Sequence, residues 1–306
     1  MEDNRSPRAG LTGELALLLL LATLWGASYS FIKLGIATIP PITLIALRTL
    51  IAGVLLVLIM RWRGLSMPRG AATWGRFAFQ ACLNSVIPWT LIAWGEQSVD
   101  AGLATILNSA APVFTFLFTA FVTRHEAASP RKLFGVIAGM TGICLIIGIN
   151  AFDHVGQELV AEIAIVAATI CYACAAIFSR GFKGLDPMAP AAGSLLCGTA
   201  VLIPLGLAFE HPWTLAPSAS SVMALLGLAV YSTAAAFVIY FRLIQTLGSV
   251  GTTAQAYLRV PIGVVLSVIF LGESLSQTAW IGLACVVAGV AAMTIPVRRA
   301  AAAKTA

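Results

Sequence analysis

At 306 residues the chain is 59% hydrophobic and only 10% charged, far below the roughly 25% charge of a soluble domain. A water-soluble globular protein is excluded, and the formal net charge of +6 sits in connectors between apolar runs, so it gives no reason to invoke nucleic acid.

The apolar runs, in chain order, are Glu14 to Lys33, Pro41 to Met60, Ala71 to Trp94, Ala101 to Thr123, Lys132 to Ile149, Ala161 to Ser179, Met188 to Phe209, Ser221 to Phe241, Val250 to Leu271 and Thr278 to Val297. Each is close to the roughly 20 residues that a helix needs to cross the hydrocarbon core. The expected fold is therefore all-α: a single membrane domain of ten transmembrane helices with short connectors.

The connectors set the orientation. Arg61, Arg63, Arg69 and Arg76 surround the second, Arg124, Arg131 and Lys132 the fourth, and Arg180 and Lys183 the sixth; Arg5, Arg8, Arg298, Arg299 and Lys304 flank the outermost spans. All fall on one side. The other side carries Glu96, Asp100, Asp153, Glu158, Glu162, Glu210 and Glu273, with Lys33 as its one base. The positive-inside rule then places both termini in the cytoplasm of a cell whose inner membrane holds the chain. The first span has the apolar centre and small residues of a signal peptide, but AEIAIVAATICYA from Ala161 matches GELALLLLLATLWGA from Gly13, and a cleaved leader would not be expected to have such a partner. Cys82, Cys144, Cys171, Cys174, Cys197 and Cys285 all lie inside spans and read as packing residues.

That partner is one part of a larger repeat. The stretch from Ala101 to Gly142 corresponds to Val250 to Gly289: Gly102 and Gly251 each precede a proline by ten residues (Pro112, Pro261), Glu126 and Glu273 end the runs, and Gly135 and Gly142 match Gly282 and Gly289. Repeat one covers about 13–149 and repeat two about 158–297, five spans each. An odd number of spans forces the second copy to enter from the opposite face. Inverted 5+5 repeats are characteristic of transporters with a central site between the halves.

The first two spans carry Trp25, Gly26, Lys33, Pro41 and Arg48. With the repeated glycine, proline, glutamate and glycine order, this pattern resembles the EamA-type branch of the drug/metabolite transporter superfamily over nearly the whole chain. The resemblance implies a basket of ten helices around a cavity, lined by helices 1, 3, 4, 6, 8 and 9, with helices 5 and 10 outside. It also implies export or exchange of small metabolites, amino acids prominent among them. The second half departs from the first-helix pattern, since Trp25 aligns with Ala173.

Candidate substrate-binding residues follow. A proline frees the carbonyl four residues earlier, at Asn108 for Pro112 and Tyr257 for Pro261. Both side chains are expected to face the cavity, or else to cap a mere kink. Arg259 lies mid-span, where a charge needs a partner: a substrate carboxylate on one reading, polar groups of neighbouring helices on the other. Trp25, Tyr29, Trp89, Tyr172 and Tyr231 fall on helices that the resemblance assigns to the cavity and would suit the apolar wall of an organic-ligand site; the alternative is an interfacial belt. Asn84 and Ser85, with Ser232 and Thr233 in the related helix, add polar groups near mid-membrane. Arg48 and Lys33 are expected to snorkel, and Glu14 and Glu162 to cap helices.

No metal, cofactor or catalytic residue is expected. An intramembrane enzyme would need a nucleophile with a base, or a metal cluster; the spans hold neither, and the Cys171–Cys174 pair reads as packing. Export of amino acids, including aromatic ones, leads over efflux of drugs or other metabolites. The Gly135–Gly139 pair in helix 5 and the small residues of helix 10 serve either internal packing or a homodimer.

Overall fold

The computed structural model describes residues 7–95, 98–99, 106–122, 129–148, 155–156, 158–262 and 277–295. The side chains of 7–10, 29, 30, 33, 93 and 147 lie outside that description. Among the described residues every regular element is helical.

Helix α1 spans Pro7–Gly35 and α2 Pro41–Trp62, with Pro41 in the first turn, where its missing N–H is no loss. Helix α3 runs through Ala71–Ala81, a π segment Cys82–Val86 and Ile87–Gly95. Helix α4 covers Ile106–Val122 and is interrupted by a turn at 109–110. Ser129 opens α5 (Pro130–Ile147) by accepting from Lys132 N at 3.2 Å, and Gly148, at φ 97°, closes it. Helix α6 is Leu159–Ser179, α7 Met188–Phe209 and α8 Ala219–Thr246. Helix α4 ends in a π segment, Phe118–Val122, and α8 contains another, Val230–Ala235. Helix α9 begins at Gly248–Thr253, breaks at Ala254 and resumes over 255–262; α10 is Gln277–Thr294.

Six of these helices, α1, α2, α6, α7, α8 and α10, are long and apolar enough to cross a membrane, and α4 is a shorter apolar helix. Leu19, Leu58, Phe134, Ile137, Ile163 and Val287 are exposed on their outer faces, as expected of groups solvated by lipid chains. Of the residues on which the repeat was recognised, Gly102, Glu126 and Glu273 lie outside the described residues.

Several of the helix contacts recur when each helix is replaced by the one five places on. α2 packs on α7 and α5 on α10, while α3 on α6 is mirrored by α8 on α1. Matched helices run in opposite directions. At one end of the bundle Glu210, just past α7, accepts from Ile42 N (2.9 Å), Thr43 N (2.6 Å) and Thr43 Oγ1 (2.7 Å) at the start of α2. The orphan donors of one helix are thus capped by its repeat mate, a long-range version of an N-cap. Ser221 Oγ donates to Leu34 O at the same end, 2.8 Å, joining the end of α1 to the start of α8.

At the opposite end Glu14 accepts from Arg242 (2.7 and 3.2 Å) and from Thr246 Oγ1 (2.9 Å). Arg76 there donates to Gly181 O, so α3 begins where α6 ends. The expectation that Glu14 caps a helix is corrected: α1 starts at Pro7, so Glu14 is about two turns in and pairs across to α8. Glu162 does sit in the first turn of α6 and accepts from Gly156 N at 2.7 Å.

Helices α5 and α10 form a tight antiparallel seam. A Cβ added at Gly142 would lie 2.6 Å from Gly282 O, one at Gly282 2.7 Å from Gly142 O, and one at Gly289 2.7 Å from Gly135 O. The small residues expected to serve packing or a dimer thus face each other.

Candidate functional site

A cavity of about 430 Å³ opens between the two sets of helices. Its mouth lies at the Glu210 end, beside exposed Ile36 and Pro41, and its walls come from α1, α2, α3, α4, α6, α8 and α9. Among the described residues, α5 and α10 contribute nothing to it. The contribution of α2, through Leu44, Ile45 and Arg48, goes beyond the six helices the sequence suggested.

Both interrupted helices break at the cavity. Asn108 and Ala111 flank the turn in α4, and Thr253, Gln255 and Ala256 flank the break in α9. Irregular backbone in a membrane is stable only inside protein or against a wet space, and here it borders the cavity.

Six of the nine candidate residues line the cavity: Trp25, Asn84, Trp89, Asn108, Tyr172 and Arg259. Tyr29 falls on a side chain outside the described residues. The expectation for the remaining two is corrected. Tyr257 is wholly buried, its hydroxyl donating to Val136 O at 3.2 Å and its ring filling the slot left by Gly139, where an added Cβ would collide with it. The break at Ala254 resets the register of α9, so Gln255, Ala256 and Arg259 face the cavity and Tyr257 faces α5. Tyr231 is 59% exposed. It lies in the π segment of α8, where the wider turn points Ser232 and Thr233 inward and Tyr231 out.

The expectation that Arg48 snorkels is also corrected. It is 5% exposed, lines the cavity, donates from Nε to Thr233 Oγ1 at 3.1 Å, and its guanidinium lies 4.0 Å over the Trp89 ring. Thr233 in turn donates to Leu228 O at 2.8 Å, a five-residue reach that only the π segment provides. Arg259 donates from Nε to Gln255 Oε1 at 2.9 Å and lies 5.1 Å from the Trp25 ring. Among the described residues its partners are thus an amide on its own helix and a ring across the cavity.

The two guanidinium–tryptophan pairs belong to one array. Phe237 stands edge-on to both indoles, 6.4 Å from each. Tyr240 joins at 5.7 Å from Trp25, and Phe241, Phe182 and Phe77 continue the aromatic block toward the Glu14 end. These rings close the cavity on that side, with the Glu14–Arg242 pair beyond them. Sequence reasoning missed Phe237, Tyr240 and Gln255. Only Gln255 carried a signal, its i, i+4 spacing from Arg259.

The EamA-like transporter family matches twice, over residues 12–148 and 159–295. The chain is 27% identical to the uncharacterized inner membrane transporter YedA of Escherichia coli K12, over 91% of this chain and 89% of that one. It is also 27% identical to a probable terminal-alkyne amino-acid exporter of Streptantibioticus cattleyicolor, over 89% and 90%. A solved crystal structure 20% identical in sequence superposes with a TM-score of 0.77, covering 92% of this chain and 98% of that one. That likeness concerns the fold alone.

Proposed function

The chain belongs to the EamA-like transporter family, and from that premise we propose that it is a secondary transporter, not an enzyme, which carries small amphipathic, carboxylate-bearing metabolites across the cytoplasmic membrane. It does so by alternating access, with ten crossings arranged as inverted halves of five. Amino acids, aromatic ones included, are the leading substrates. The naming of one relative as a probable amino-acid exporter supports that choice. Efflux of drugs or other metabolites is the second reading, supported by the aromatic walls alone.

The observation that carries the proposal is the cavity itself. It lies between the halves, is lined by breaks in both α4 and α9, and reaches one end of the bundle while aromatic rings and an ion pair close the other. Connector bases Arg61, Arg63, Arg69, Arg180 and Lys183 belong to the closed end, which the positive-inside rule makes cytoplasmic along with both termini. The arrangement then faces outward. Two inverted halves that exchange conformations would close the Glu210 end and open the Glu14 end around the same site.

Within the site, the aromatic array receives the apolar body of the substrate and Arg259 its carboxylate. Counterflow in proteoliposomes tests this. Vesicles loaded with one amino acid should draw in a labelled one saturably, and Arg259→Gln should weaken that uptake. Absence of saturable flux across an amino acid panel would sink the amino acid assignment, and conductive flux would sink the transporter mechanism.

A further inference from the structure

Resting on the reading of the cavity as the transport site, we infer that it ranks carboxylate-bearing substrates by net charge, binding an aromatic dianion more tightly than a monoanion and a monoanion more tightly than a zwitterionic amino acid. The inference comes from the balance of charge. Two guanidiniums line the cavity, and the described lining residues include no carboxylate. Arg48 stacks on Trp89 and Arg259 on Trp25, with Phe237 between the indoles, so a continuous row of rings carries a cation at each end.

The polar groups beside the row point the same way. Asn84 is 5% exposed and its Nδ2 has no hydrogen-bond partner among the described residues. The Oε1 of Gln255 already accepts from Arg259, and Thr233 Oγ1 already accepts from Arg48. The donors left over beside the row are therefore guanidinium N–H groups and an amide N–H. A carboxylate meets such donors with charge-assisted hydrogen bonds. An ammonium group would face two full positive charges and, among the described lining residues, no carboxylate.

One carboxylate answers one guanidinium. A second acidic group adds to the attraction that the other exerts across the cavity, with the apolar body against the aromatic row. Each added charge-assisted contact is expected to tighten binding by about tenfold.

A charge series on one phenyl frame tests this: benzylsuccinate, 3-phenylpropionate, phenylalanine and phenethylamine, titrated calorimetrically into the purified full-length protein. The expected order is that one, with phenethylamine undetectable. Phenylalanine binding as tightly as 3-phenylpropionate would overturn the inference while leaving amino acid transport intact. Binding of none of the four would overturn the carboxylate reading and the inference together. Gln255→Glu supplies a second test that removes no cation: it places a carboxylate on the existing hydrogen bond to Arg259 and neutralises it. The benzylsuccinate preference over 3-phenylpropionate should then shrink by about tenfold, as it should in Arg259→Gln; an unchanged preference in Gln255→Glu would count against the role assigned to Arg259.

Discussion

Replacing Gly142 with alanine puts a methyl group where α10 already is. The new Cβ would lie 2.6 Å from Gly282 O, 2.7 Å from Val286 Cγ2 and 2.8 Å from Val286 N. Two of those atoms are helix backbone and cannot rotate away, so the seam itself must open. Overpacking of this kind costs about 1–3 kcal/mol, and contact with backbone argues for the upper end. Against it stands about 1 kcal/mol gained from replacing a helical glycine. The net expectation is a loss of about 2 kcal/mol. Gly75→Ala is the control, since nothing lies within 4 Å of its added Cβ, and it should hold or raise stability. The double variant Gly142→Ala, Gly282→Ala should lose less than the sum of its parts, because the first methyl already separates the helices that the second would push apart. Apparent melting temperature of the purified protein in detergent reads all four. If Gly142→Ala melts with Gly75→Ala, the glycines of α5 do not form the seam and their role must be sought at an outer interface.

Three further outcomes follow from the polar contacts. Glu210→Ala strips acceptors from Ile42 N, Thr43 N and Thr43 Oγ1 and should lower stability by about 1–2 kcal/mol; an unchanged melting temperature would show that the cap between repeat mates contributes nothing. Thr233→Val leaves the buried Arg48 Nε without its acceptor, a loss of about 1–3 kcal/mol, whereas Thr233→Ser should restore it, and equal melting of the two would refute the contact. Glu14→Gln weakens a pair whose partner, Arg242, is 55% exposed, so solvent screening limits the effect to about 0.5–1 kcal/mol. That still shifts a two-state opening equilibrium by about two- to fivefold, readable as faster thiol labelling of a cysteine placed in the aromatic block from the Glu14 side. No change in that labelling would remove the ion pair from the closure.

How much of this was legible in the sequence differs by residue. Trp25, Trp89 and Tyr172 could be placed near the cavity because they fall on helices that the family resemblance assigns to it, Asn84 and Arg259 because they are polar or charged near mid-span, and Asn108 because a proline four residues on frees its carbonyl. Tyr257 could not. The proline four residues on predicts a disturbed carbonyl, but the backbone breaks three residues before Tyr257, at Ala254, and that break turns the ring toward Gly139. Tyr231 failed for a related reason: a π segment rotates every following side chain, and nothing in Val230–Ala235 announces one. Arg48 was misjudged because a snorkelling arginine and a buried one look alike until Thr233 and Trp89 are seen beside it. Glu210 and Glu14 were read from their own neighbourhoods, whereas their partners lie 167 to 232 residues away.

Alternating access requires that one cavity serve both faces of the membrane in turn. Ala256 lines that cavity, so Ala256→Cys in a background freed of the native cysteines, exposed to a membrane-impermeant thiol reagent from each side separately, tests it most directly. Labelling from either side, slowed from one and hastened from the other as substrate is added, is the expected result. Labelling from a single side under every substrate condition would contradict the account.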